Sequence, residues 1–139
     1  MIHNTRIIDF RAFSSECGCL VPIEEMDDVP FDVKRIYYIF DVPEEERRGF
    51  HSHRNLEQVL ICVHGSVSIY VKTPFEEDVV ELNDPEKGLY IGPMVWREMF
   101  DWKDDGVLLV LASKHYDEGD YIRNYAAYES EACKWFGGK

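Results

Sequence analysis

The stretch RRGFHSHRNLEQ, from Arg47 to Gln58, is the densest run of proton-handling and anion-binding side chains in the chain. His51 and His53 stand two residues apart, so in an extended segment both point to the same side. Two imidazoles facing one cavity would move protons near neutral pH, because the ordinary imidazole pKa lies close to it. The competing reading is a pair of surface histidines on a loop. The apolar run EQVLICV that follows, from Glu57 to Val63, favours the first reading, since it puts the histidines at the entrance of a buried strand.

Arg35, Arg48 and Arg97 are the candidates for anion recognition, because a guanidinium fork suits a diphosphate or a keto oxygen held in a cleft. Each has the alternative of a surface ion pair with one of the 27 carboxylates. Tyr37 shares a strand face with Arg35 and would hydrogen-bond a sugar oxygen or pack. Trp96 and Trp102 would stack on a base or sugar, or pack at a barrel edge. An HxH pair followed by an acidic residue and a glycine also resembles the first metal-binding motif of cupins. Here the position that keeps the spacing to Gly65 is Gln58, a poor ligand, and the segment GPMVWREMF offers Arg97 and Glu98 where a second motif would supply histidine. No metal and no other cofactor is expected.

The elements that must hold these residues are mostly strands. Residues 33–41, VKRIYYIFD, alternate so that Arg35, Tyr37 and Ile39 share one face. EQVLICV and SVSIYVK, joined through His64 and Gly65, suggest a hairpin. DVVEL (78–82), GLYIG (88–92) and GVLLVLAS (106–113) are further strands, each bounded by Gly, Pro, Asn or Asp. Six or more strands with no helix between them predict an all-β fold, a small antiparallel jelly roll or barrel. The tail is different: about Tyr121 to Phe136 reads as a short helix outside the barrel, with Asp117 or Asp120 to cap it. Its aromatic residues need a covering surface, which a second subunit would provide.

At 139 residues the chain suits a single domain, 1–139. A net charge of −12 excludes a general affinity for nucleic acid or anionic membranes, while leaving room for a small anion in an arginine-lined pocket. No signal segment and no run of transmembrane length occurs. Cys17, Cys19, Cys62 and Cys133 lack CxxC spacing and are read as reduced, so the protein is expected in the cytoplasm.

The segments KRIYYIFDVPEEERRGFHSHRNLEQVLICVHGSV, GLYIGPMVWREM and VLLVLASKHYDEGDYIRNY closely resemble the bacterial sugar 3,4-ketoisomerases of the cupin superfamily. The resemblance covers about Arg6 to Tyr128, and RGFHSHR with LEQVL, GPMVW and DYIR are its most specific parts. It implies a cupin jelly roll, a homodimer often built with exchanged strands, and no metal. It also implies action on dTDP-4-keto-6-deoxyglucose, whose ketone moves from C4 to C3 on the way to unusual deoxy and amino sugars, among them those of lipopolysaccharide. By the same resemblance His51 and His53 are the catalytic histidines, Arg48 is their neighbouring arginine, and Tyr37 and Arg35 line the sugar pocket. One departure is Arg97, where some relatives carry histidine. Three rivals remain: an epimerase, disfavoured by HSHR in place of a His and Asp pair; a non-catalytic nucleotide-sugar-binding cupin; and a metal-dependent dioxygenase, disfavoured by the ligand count.

Overall fold

The computed structural model describes residues 1–137. Ten strands appear in chain order: β1 (Thr5–Asp9), β2 (Phe13–Ser15), β3 (Gly18–Leu20), β4 (Arg35–Ile39), β5 (Arg48–His53), β6 (Gln58–Lys72), β7 (Glu77–Leu82), β8 (Lys87–Ile91), β9 (Trp96–Ala112) and β10 (Tyr121–Ile122). A 3₁₀ turn, Glu118–Asp120, precedes β10, and one helix, α1 (Tyr125–Gly137), ends the described chain. Every strand pairing between these elements is antiparallel.

The frame is the long ribbon formed by β6 and β9. The first half of β6 pairs with β8 and with the end of β9, and its second half pairs with β7 and with the start of β9. Between the halves the register shifts at Cys62, His64 and Ser66, opposite Lys103 to Val107. The expected hairpin at His64 and Gly65 is therefore absent: the strand runs on, and the pair of residues forms a bulged corner. Gly65 is required there, with φ of 71° and space for a Cβ closed by the carbonyl of Lys103 at 2.5 Å. The corner folds the ribbon over, so that β1, β8 and β4 extend one layer while β7, β5 and β10 extend the other. This is the curled antiparallel sheet expected of a cupin-type jelly roll.

Leu60, Val67, Ile69, Leu89, Leu108 and Val110 belong to the main core, while Val59, Ile61 and Leu111, on the opposite strand faces, pack under Phe10, Val29 and Phe31. Burial on both faces explains why EQVLICV reads as a continuous apolar run instead of an alternating one.

The tail differs from expectation in three ways. Tyr121 and Ile122 form a strand against β5, and the helix begins only at Tyr125. Asn124, not an aspartate, caps it, accepting from the N–H of Ala127 at 2.9 Å, because Asp117 caps the preceding 3₁₀ turn and Asp120 is engaged elsewhere. The helix also covers its own barrel: Tyr128, Ala132 and Phe136 join the main core, and the Tyr128 hydroxyl reaches the carbonyls of Lys72 and Met94, both at 2.9 Å. The tail's aromatics thus do not wait for a second subunit. No helix among the described residues is long and apolar enough to cross a membrane.

Candidate active site

β5 carries the histidines, and its geometry is irregular just before them. Gly49 has φ of 97° and Phe50 has φ of 56°, and the register with β9 slips by one residue between Gly49 and His51. Phe50 is the extra residue of a bulge, after which His51 stands opposite Arg97. His51, Ser52 and His53 are all buried. On the far edge of β5, β10 sets Tyr121 opposite His53.

These elements surround a cleft of about 420 Å³ whose lining includes Arg35, Tyr37, Arg48, His51, Tyr121 and Arg123. Four of the six predicted site residues, Arg35, Tyr37, Arg48 and His51, line it. His53 and Arg97 lie one layer deeper, with exposures of 1% and 0%. The His53 ring lies 4.9 Å from that of His51 and 4.3 Å from that of Tyr121. Trp96 and Trp102 do not line the cleft: Trp96 packs on Tyr125 and Tyr128, and Trp102 is in the core. Their large apolar surfaces fill the interior, and the aromatic rings at the cleft are those of Tyr37, Tyr116 and Tyr121.

Arg97 is held by uncharged acceptors alone. Its Nε and Nη2 donate to the carbonyl of Val95 at 3.2 and 3.1 Å, and Nη1 donates to Oε1 of Gln58 at 2.5 Å. Gln58 in turn donates to the Tyr37 hydroxyl at 3.0 Å. The position that sequence spacing offered as a weak metal ligand thus links a buried cation to a tyrosine of the cleft. Among the described residues, arginine ion pairs are formed by Arg11, Arg47, Arg54 and Arg123, and not by the three arginines predicted to bind anions. No group of three His, Cys, Asp or Glu side chains suited to a metal occurs among them.

The electrostatics follow from this burial. Desolvation, then the charge of Arg97, lowers the pKa of His51 to about 3, and the same two causes lower that of His53 further. Both imidazoles are therefore neutral at physiological pH and free to accept a proton. Arg97 itself is lowered to about 10 by burial and stays charged. Burial also raises the Tyr37 hydroxyl above its ordinary value, so it remains a hydrogen-bond donor. The site accordingly offers neutral bases beside a fixed cation, an arrangement that stabilises an anion formed by proton removal.

Sequence reasoning missed four contributors: Gln58, Tyr116, Tyr121 and the Glu118–Arg123 pair, joined at 2.8 and 3.0 Å, whose guanidinium lies 4.2 Å from the Tyr121 ring centre. The DYIR segment is the available signal, but its tyrosine lies in the strand β10 and not in the helix expected from about Tyr121. A histidine–carboxylate contact is also present, Asp120 beside His53 at 3.3 Å. The HSHR motif therefore does not separate this site from an epimerase, and the distinction falls to the family.

The family model for FdtA, WxcM-like, C-terminal, matches residues 3–133. A TDP-4-oxo-6-deoxy-alpha-D-glucose-3,4-oxoisomerase from Aneurinibacillus thermoaerophilus is 46% identical over 129 residues, 93% of each chain. Among solved structures, the H51N mutant of the 3,4-ketoisomerase QdtA from Thermoanaerobacterium thermosaccharolyticum, in complex with TDP-4-keto-6-deoxyglucose, is 56% identical. It superposes with a TM-score of 0.96 over 98% of this chain and 99% of the other. The WlaRB TDP-quinovose 3,4-ketoisomerase from Campylobacter jejuni is 44% identical, with a TM-score of 0.89 over 93% and 99%. With nearly its whole length matched in this way, the chain belongs to the FdtA family, WxcM-like, C-terminal, and so to the sugar 3,4-ketoisomerases its sequence resembles.

Proposed function

We propose that this protein moves the ketone of TDP-4-keto-6-deoxyglucose, or a near relative of that sugar, from C4 to C3. The observation that carries the reading is the placement of a neutral His51 on the wall of an arginine-lined cleft, directly opposite the unpaired cation Arg97. The relatives that bind or convert TDP-linked keto sugars support the choice of substrate.

The carbonyl at C4 acidifies the hydrogen at C3. His51 removes that proton, the C–H electron pair forms the C3–C4 double bond, and negative charge develops on O4. Arg97 beneath the cleft, with Arg35 on its wall, stabilises the enediolate. His53 and Tyr37 carry the hydroxyl proton from O3 to O4, and the protonated His51, after exchanging with solvent, delivers a proton to C4, leaving the carbonyl at C3. His53 takes part once the Tyr121 ring that covers it turns aside. One carbon is reduced as its neighbour is oxidised, so the substrate supplies both halves of the redox change. In this reading Arg48, at the cleft and outside the ion pairs of the described residues, meets the diphosphate.

The working assembly in this reading is a cytoplasmic homodimer of one domain per chain. Two features support pairing: Ile36, Tyr38 and Phe40 stand exposed along the outer side of the β4 segment, and the β2–β3 hairpin is exposed at all six positions. A two-stranded hairpin without cover is marginal in water. Four free cysteines among the described residues agree with a reducing compartment.

The test is proton NMR of TDP-4-keto-6-deoxyglucose incubated with the protein in deuterated buffer, with His51→Asn alongside. A 3-keto product carrying deuterium at C4, and no reaction with the variant, is the expected result. Full turnover by His51→Asn would remove His51 as the base, and unchanged substrate with the native protein would leave a nucleotide-sugar-binding cupin. An altered configuration at an unmoved carbonyl would mean epimerisation.

A further inference from the structure

The DYIR segment contains a carboxylate that the isomerase reading has not used. Asp120 is largely buried, and its Oδ1 and Oδ2 accept from the N–H groups of Asn55 at 2.8 Å and Leu56 at 3.3 Å. Its main-chain carbonyl accepts from the N–H of Arg54 at 2.9 Å. The carboxylate is thus fixed against the chain that leaves β5. Its Oδ2 stands 3.3 Å from Nδ1 of His53, but out of line for a hydrogen bond, and both nitrogens of His53 are buried without a partner. Strand register creates the contact: β10 sets Tyr121 opposite His53, so the residue before Tyr121 falls beside the imidazole.

The other charged groups around His53 repel a proton on it. Arg97 reaches it from β9, Arg35 from β4 and Arg123 from beyond β10, while the neutral His51 faces it from its own strand. Tyr121 covers the ring. Asp120 is the carboxylate among the described residues that forms an ion-pair contact with His53.

We propose that Asp120 is a positioning residue for His53, fixing the tautomer that carries its proton on Nδ1 and leaving the lone pair on Nε2. For its effect on turnover, the inference rests on the isomerase reading above. As Nε2 takes the proton of the O3 hydroxyl, the Nδ1–H aligns with Asp120, which balances the new charge. The Nε2 proton then passes to O4, and His53 ends in the tautomer in which it began. No proton transfers to the carboxylate. The loose alignment at 3.3 Å leaves room for a hydrogen bond that tightens during reaction.

The experiment is nitrogen NMR of histidine-labelled protein without substrate, with His53 assigned through His53→Asn, paired with steady-state kinetics. The proteins compared are the native chain, Asp120→Asn, Asp120→Glu and Arg54→Gln. The last loosens the same loop by removing the bonds to the carbonyls of Gly119 and Tyr121, yet keeps the carboxylate. The expected result is an Nδ1-protonated His53 in the native and Arg54→Gln proteins and loss of that preference in Asp120→Asn. The kcat of Asp120→Asn should fall about 10²-fold with KM nearly unchanged, and Asp120→Glu should recover part of it. An Nε2-protonated His53 in the native protein, the same tautomer in Asp120→Asn, or an equal loss in Arg54→Gln would overturn the proposal. The tautomer is read without turnover, so a native protein that failed to isomerise the sugar would overturn the isomerase reading separately.

Discussion

Arg97 is an arginine with no exposure and no carboxylate partner, held by a main-chain carbonyl and a glutamine. Taking such a charge from water costs several kcal/mol, and neutral hydrogen bonds offset only part of that. A site that must receive a developing anion has a use for this cation. Replacement by a similar apolar side chain should therefore separate stability from activity. Arg97→Met is expected to keep or exceed native stability in urea unfolding, while kcat falls about 10² to 10³-fold. The pH profile should move in a defined direction. Arg97 is the second cause, after burial, of the lowered pKa of His51, so its removal raises that pKa from about 3 toward the ordinary value. The neutral base is then lost at a higher pH, and the acid limb of kcat/KM shifts upward. Parallel loss of stability and activity would make Arg97 a structural residue only. The residues gathered here were legible as types at this scale: Arg35, Tyr37, Arg48 and His51 line the cleft, and His53 and Arg97 lie beneath it. The partner of Arg97 was not, because Gln58, paired with Ala112 in one layer, meets it only across the interior from the other layer, 39 positions away in the chain.

At the scale of the element, β5 depends on two successive residues with positive φ just before His51. A Cβ on Gly49 would lie 2.9 Å from the carbonyl oxygen of Arg97, and its φ of 97° disfavours any side chain. Gly49→Ala is expected to destabilise the fold by about 1–3 kcal/mol and to disturb the opposition of His51 and Arg97, lowering kcat. Phe50 holds its own positive φ as a bulky residue, so Phe50→Gly should tolerate the bulge and retain turnover. Urea unfolding with turnover on the same two preparations checks both, and an active, fully stable Gly49→Ala would show that the bulge does not aim His51. Spacing alone predicted that His51 and His53 share a side, but a bulge is set by the partner strand and leaves no periodic mark. The corner at Gly65 misled for the same reason: a His-Gly pair suits a reversing turn and a bulge equally, and continuous pairing with β9 selects the bulge.

At the scale of the whole molecule, the exposed apolar row of Ile36, Tyr38 and Phe40 is 54–63% accessible at each side chain. A row of this kind is a recognised mark of an association surface. If it joins two copies, light scattering should give a dimer for the native chain, and Tyr38→Glu with Phe40→Glu should shift the mass toward a monomer while the circular dichroism stays β-like. A native protein that is monomeric at micromolar concentration would refute the pairing. The helix of the aromatic tail, expected to need cover from a second subunit, instead completes its own barrel through Tyr128, Ala132 and Phe136. The sequence by itself determined the strand-rich class, the inward face of Arg35, Tyr37 and Ile39, the histidine pair and the family, because these depend on residue type and on periods of two along the chain. Only the tertiary structure decided that His53 and Arg97 lie beneath the cleft, that Tyr121 covers the histidines and that Asp120 stands beside one of them. Those relations are set by which strands pair and in which register, and contacts across a sheet join residues whose separation along the chain carries no local signal.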